Sequence, residues 1–266
     1  MFLHVAVPRP FEDLFTYRCP PELEDQASAG KRVIAPFGKQ KITGYIISTS
    51  KALPPHHPTR ISAEEIKPVY SILDPDPLID ETMLSLCKWA SEYYMFPIGM
   101  VLKTAFAGIP EGKAAVVSKK KFNVLDSFRE VSDGVSVPPC LTTPQKDVLI
   151  KLSDSIASGS FAVHLLHGIT GSGKTEVYMS ALEEVIKRGR RGIVLVPEIA
   201  ITPQLIMRFV SRFGDKVAVL HSGLTEAERR CEWISIKEGE VDVVIGVRSA
   251  VFAPIYKLGL VVVDEE

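Results

Sequence analysis

Apolar and polar positions follow two different rhythms along this chain. From Met1 to about Lys103, short apolar runs at Leu3 to Val7, Lys31 to Pro36 and Ile42 to Ser48 are divided by turn residues, with Gly30, Gly38 and Gly44 between or within them. Runs of that length predict strands, so this part reads as a small β-rich domain. Asp80 to Tyr94 carries Met83, Leu84, Leu86, Cys87, Trp89 and Ala90 at amphipathic spacing, which predicts a helix closing the domain. Beyond Leu141, apolar runs at 161–167, 192–196, 216–220, 241–246 and 258–263 alternate with helical stretches near 144–157, 175–188, 201–213 and 225–238. That alternation predicts an α/β fold: a parallel sheet with helices on both faces and its strand carboxyl ends along one edge. The expected organisation is a β-rich domain at 1–103, a weakly patterned connector at 104–140 and an α/β domain at 141–266.

Composition narrows the picture only a little. A net charge of −1 with 24% charged residues carries no global nucleic-acid signature, so any DNA contact must come from local patches. The Lys119-Lys-Lys run in the connector is one such patch, though a solvated face explains it as well. The Pro-Pro-His-His-Pro stretch at 54–58 reads as a loop with solvent-facing histidines. Cysteines at 19, 87, 140 and 231 form no C-x-x-C pair, against both a disulfide framework and a zinc site in these residues. No apolar run approaches the roughly 18 residues of a membrane span and the start lacks a signal pattern, so the expectation is a cytoplasmic protein with no membrane association.

The sharpest chemical signal is Gly168 to Thr175, which fits the phosphate-binding loop Gly-x-x-x-x-Gly-Lys-[Ser/Thr] at every position. The 161–167 run is the expected strand before it, and a helix is expected after it. Gly168, Thr170, Gly171, Ser172 and Gly173 are then placed to let backbone N–H groups close around phosphates at a helix N-terminus. Lys174 is expected to reach the β and γ oxygens, and Thr175 to offer its hydroxyl to Mg²⁺. The final strand runs into Asp264, Glu265 and Glu266, where Asp264 would hold the Mg²⁺ shell and Glu265 would polarise the attacking water. The cofactors implied are ATP and Mg²⁺.

Longer strings carry a family resemblance. His167 to Tyr178, Val196 to Gln204, His221 to Thr225 and Gly246 to Pro254, with Val33 to Lys39 and Tyr93 to Gly99 in the first part, resemble the PriA family of superfamily 2 replication-restart helicases. The resemblance implies a RecA-like lobe preceded by a domain that binds the 3′ end of the leading strand at an abandoned fork. It also implies 3′-to-5′ movement on DNA, primosome assembly, and primosome proteins and single-stranded DNA-binding protein as partners. By the same resemblance Gln145 recognises adenine, and its side-chain amide can both donate to and accept from that base. Phe15, Thr16, Gly38 and Lys67 fall where the family forms its pocket for a 3′-terminal nucleotide, with β-domain core as the competing role of Phe15 and Tyr17. Thr16 replaces the usual aspartate, so end selectivity should be weaker. Arg248 and Ser249 resemble the family's grip on the DNA backbone, with a structural loop ion pair as the alternative. His221 and Trp233 read as packing residues.

Departures from the family shape one further expectation. The connector is too short for the usual winged helix. The histidine after the acidic terminus, the cysteine-rich zinc region and the second lobe with its arginine finger are not in this sequence. The chain therefore reads as an N-terminal portion, with zinc expected only further along and negligible hydrolysis expected from these residues alone. The alternatives are a stand-alone DNA-end reader with a vestigial motor lobe, or a phosphate-loop ATPase unrelated to DNA.

Overall fold

The computed structural model describes residues 1–52, 64–113, 140–169 and 171–264. The loop at 54–58, the Lys119 run, most of the connector, Thr170, Glu265 and Glu266 lie outside the described residues. The chain divides into two compact units, Met1–Ser118 and Lys119–Glu266.

The first unit is an antiparallel sheet. Its strands are β1 (Phe2–Ala6), β2 (Phe15–Arg18), β3 (Arg32–Phe37), β4 (Gln40–Ser50) and β5 (Ser71–Ile72), in the order β2-β1-β4-β3-β5. The inward positions of successive strands meet in one apolar core of Leu3, Val5, Tyr17, Val33, Ala35, Ile46 and Val69. Tyr17 belongs to that core, its hydroxyl donating to the Pro36 carbonyl at 3.0 Å, while Phe15 packs at the core's margin. Helix α1 (Glu81–Tyr93) begins at Asp80, whose carboxylate accepts from the Met83 N–H at 2.8 Å and so satisfies an otherwise orphaned donor. A second helix, α2 (Ile98–Ala105), was not expected from the pattern. Its short apolar run gives no periodicity long enough to mark it. The unit continues past Lys103, because Arg32 donates to the carbonyls of Pro110 and Lys113.

The second unit is the expected α/β layer structure. Strands β6 (Arg191–Leu195), β7 (Val217–Leu220), β8 (Val243–Gly246) and β9 (Leu258–Val263) pair in parallel in the order β7-β8-β6-β9. Helices α3 (Thr143–Ser158) and α4 (Lys174–Lys187) precede β6, α5 (Pro203–Phe213) connects β6 to β7, and α6 (Glu226–Glu238) connects β7 to β8. One face of the sheet buries Met179 and Leu182 of α4 and Ile206 and Phe209 of α5 against Val194, Val219 and Ile245. The other buries Ile236 of α6 against Ile193, Ala218 and Val244. Trp233 is buried as expected, and among the described residues no helix is long and apolar enough to cross a membrane.

One expected strand is not there. Residues 161–167 are irregular, and Phe161, Val163 and Leu165 are 95%, 82% and 89% exposed. An apolar run becomes a strand only where a neighbour takes up its backbone N–H and C=O groups. Among the described residues β9 is an edge of the sheet and nothing pairs with 161–167.

Glu232 on α6 gives this unit a pH dependence. Burial pushes its carboxyl up to about 7, against the opposing bond from the Val219 N–H, and Glu228 adds to the rise. Because the folded state holds the proton more tightly than the unfolded one, stability is highest below the ordinary carboxylate range and falls as pH rises toward 7. Glu232→Gln keeps an acceptor for Val219 and should flatten that slope, with a gain of up to about 3 kcal/mol at pH 8. Thermal unfolding followed at Trp233 at pH 5 and pH 8 checks this, and an unchanged slope contradicts it.

Candidate functional site

The phosphate-binding loop folds as a turn that hands the chain into α4. Gly173 stands at the head of that helix with φ +80°, where an L side chain is strained and where a Cβ would also collide with the Gln145 amide. The positive φ is what requires glycine here, since the Gln145 amide is the flexible end of a side chain and can give way. The Lys174 ammonium donates to the Gly168 carbonyl at 2.7 Å and to that of Ile169 at 3.2 Å, folding back over its own loop. Gln145 sits on the first turn of α3, in a capping box with Thr142. Its Oε1 accepts from the Thr142 N–H at 2.9 Å, and its Nε2 donates to the Ser172 carbonyl at 3.0 Å. The expected adenine reader is thus tied to the phosphate loop by the same amide that would address the base.

Asp264 reaches the loop's helix through a hydrogen bond. The parallel ladder carries β9 out at the carboxyl edge, where the Asp264 N–H still donates to the Leu195 carbonyl at 2.9 Å. Its Oδ2 accepts a 2.9 Å bond from the hydroxyl of Tyr178, one turn along α4 from Lys174. Burial raises the Tyr178 pKa, so the phenol keeps its proton at neutral pH. Thr175 Oγ1 and the Asp264 carboxylate are two hard oxygen donors, a set whose chemistry fits Mg²⁺. Glu176 is buried and ion-paired with Arg212 of α5, which also holds Glu183 at 2.6 Å and Ser180 at 3.0 Å, so α4 is locked against α5.

The other expected residues are more dispersed. Arg248 and Ser249 are exposed on the 3-10 turn Arg248–Phe252, just past the carboxyl end of β8 on the same edge of the sheet as Asp264. In the first unit Phe15, Phe11 and Phe37 form an aromatic cluster, with Phe15 and Phe37 edge to face at 5.3 Å and exposed Gly38 following Phe37. Thr16 lies on the opposite side of β2 from Phe15, as strand alternation requires, and its hydroxyl meets His4 Nδ1 at 3.4 Å. His4 Nε2 in turn meets Ser50 Oγ at 3.0 Å. Lys67 is exposed, and its carbonyl accepts from the Arg18 N–H at the end of β2. The structure therefore brings Phe15 and Gly38 to one aromatic corner and leaves Thr16 on the other side of its strand.

Comparison with known proteins accounts for both units. Residues 4–107 match the 3′DNA-binding domain (3′BD) family, and residues 139–266 match the DEAD/DEAH box helicase family. The replication restart protein PriA of Treponema pallidum (strain Nichols) is 37% identical over 267 residues, spanning 100% of this chain. The chain belongs to the PriA family. The replication restart protein PriA of Bacillus subtilis (strain 168) is 48% identical over 141 residues, or 53% of this chain. That of Rickettsia felis is 34% identical over 89% of it. The chain spans 38%, 18% and 33% of these three relatives' own lengths.

Within this PriA-family chain, sequence reasoning missed Tyr178 and the Arg212 cluster. The signal for Tyr178 was present as spacing: three residues from Thr175 and four from Lys174 puts it on the same face of α4. What it touches depends on where β9 ends, and helical spacing does not carry that information.

Proposed function

We propose that this chain supplies DNA-end binding and part of the ATP site of an ATP-dependent 3′-to-5′ DNA helicase that recognises stalled or abandoned replication forks and promotes primosome assembly. The observation that carries the motor half is the bond between Tyr178 and Asp264, 86 residues apart, which joins the phosphate-loop helix to the acidic strand end. The N–H groups of Gly168, Thr170, Gly171, Ser172 and Gly173 would hold the phosphates of ATP, Lys174 would leave its loop carbonyls for the β and γ oxygens, Gln145 would turn to the adenine, and Thr175 and Asp264 would hold Mg²⁺. The ion, when bound, neutralises charge developing between the β and γ phosphates. Glu265 orients the attacking water.

The DNA half rests on the family match at 4–107 and on the aromatic corner. Phe15 offers a face for the terminal base, Gly38 admits the backbone closely and Lys67 meets phosphate, whereas Thr16, expected at the 3′-hydroxyl, lies on the opposite side of β2 from Phe15 and bonds His4. Arg248 and Ser249 grip the strand at the motor edge, and primosome proteins and single-stranded DNA-binding protein are the partners.

The test is binding of labelled forked DNA ending in a free 3′-hydroxyl against the same fork ending in a 3′-phosphate. The hydroxyl end is expected to bind more tightly; equal binding removes the end pocket. Lys67→Ala is expected to weaken binding evenly across sequences and to lower the slope of log affinity against log salt by about 1. A sequence-dependent loss would contradict a phosphate contact. On the motor side, no occupancy by a labelled ATP analogue with magnesium at millimolar excess would overturn the ATP site.

A further inference from the structure

We infer that Tyr178 is a positioning residue that presents Asp264 to a magnesium ion carried on the nucleotide's phosphates. This rests on reading the loop as a nucleotide site and goes further, by assigning a residue to the metal half of it.

A carboxylate can ligate a metal only if its rotation leaves an oxygen aimed at the ion. The Tyr178 hydroxyl donates to Oδ2 of Asp264 at 2.9 Å, which fixes the carboxylate's rotation and leaves Oδ1 for the ion. One side chain thus sets the direction of this ligand. Tyr178 can do this because it is itself immobile. It is 5% exposed, its ring stacks on Phe209 at 6.3 Å between centroids, and it belongs to the core beneath α4 and α5. Partners of metal ligands that fix their orientation commonly change metal affinity by about 10–100-fold when removed. Without the phenol, Asp264 at the carboxyl end of β9 regains its rotamers.

The experiment titrates magnesium into the chain in the presence of a fluorescent ATP analogue. Tyr178→Phe keeps the ring and its packing and deletes only the hydroxyl. It is expected to bind the analogue in EDTA as the unaltered chain does, yet to need about tenfold more magnesium for its half-maximal gain in affinity. Asp264→Asn is expected to lose that gain, and adding Tyr178→Phe to it should change nothing more. An unchanged magnesium requirement in Tyr178→Phe overturns the inference. So does an equal loss of affinity with and without magnesium, which is what a merely structural residue would show. If the unaltered chain binds nucleotide with no magnesium-linked gain, the inference falls and the nucleotide reading survives. If it binds no nucleotide at all, both fall.

Discussion

Lys174→Ala is expected to remove measurable nucleotide binding while leaving DNA-end binding nearly intact. The ammonium lies folded over the loop on the carbonyls of Gly168 and Ile169. In the proposed site it would exchange those neutral acceptors for phosphate oxygens. A charge-assisted hydrogen bond contributes roughly 1.5–3 kcal/mol, so its loss weakens binding by roughly ten- to a hundredfold. Alanine also uncovers the loop carbonyls to water, which offers no compensating attraction for phosphate. Phe15, Gly38 and Lys67, the residues proposed to bind the DNA end, belong to the other compact unit, so forked DNA should bind the variant as before. Fluorescent-nucleotide titration and DNA binding on one preparation check both halves. A parallel loss of the two would refute separate sites.

Asp74→Ala is expected to have the largest effect on stability in the first unit. Arg32 and Asp74 form a buried ion pair, with side chains 2% and 0% exposed. The Arg32 Nη2 meets Oδ1 at 2.7 Å, while its Nε and backbone N–H both donate to Oδ2 at 3.0 Å. The remaining guanidinium donors hold Pro110 and Lys113, so one side chain ties β3 to the two segments that follow the helices and β5. Removing the carboxylate leaves a buried cation without its partner, a loss of about 3–5 kcal/mol. Against a typical total of about 5–15 kcal/mol that is enough to unfold much of the unit at moderate temperature. Urea unfolding followed at Trp89, in a Trp233→Phe background so that the second unit is silent, measures it. Replacing both Arg32 and Asp74 by leucine should restore part of the loss, because no buried charge is then stranded. A double variant less stable than Asp74→Ala would contradict this account.

Much of this was legible without coordinates, and the reason differs from residue to residue. Four of the five strands expected beyond Leu141 formed: the β-branched run Val243-Val-Ile matches a strand buried on both faces, and Leu260-Val-Val-Val pairs as an edge strand with half-exposed side chains. The phosphate loop was legible because its chemistry is local: Gly168 to Thr175 needs only a turn and a helix start, and both are encoded in eight consecutive residues. The strand expected at 161–167 was not decided by its own residues, since a strand is a property of two chains of backbone and not one.

The sequence by itself determined which local shapes these residues take and which chemistry they bring: the turn at Gly173, the lysine beside it, the carboxylate ending the last strand, the aromatic positions of β2. Only the tertiary structure decided which of them meet. It placed Asp264 on Tyr178, bound Gln145 to the phosphate loop, put Thr16 and Phe15 on opposite sides of one strand, and buried Arg32 against Asp74. Local shape follows from interactions within a few residues, whereas contacts such as these depend on strand order and register, which are set by how whole faces bury their apolar area.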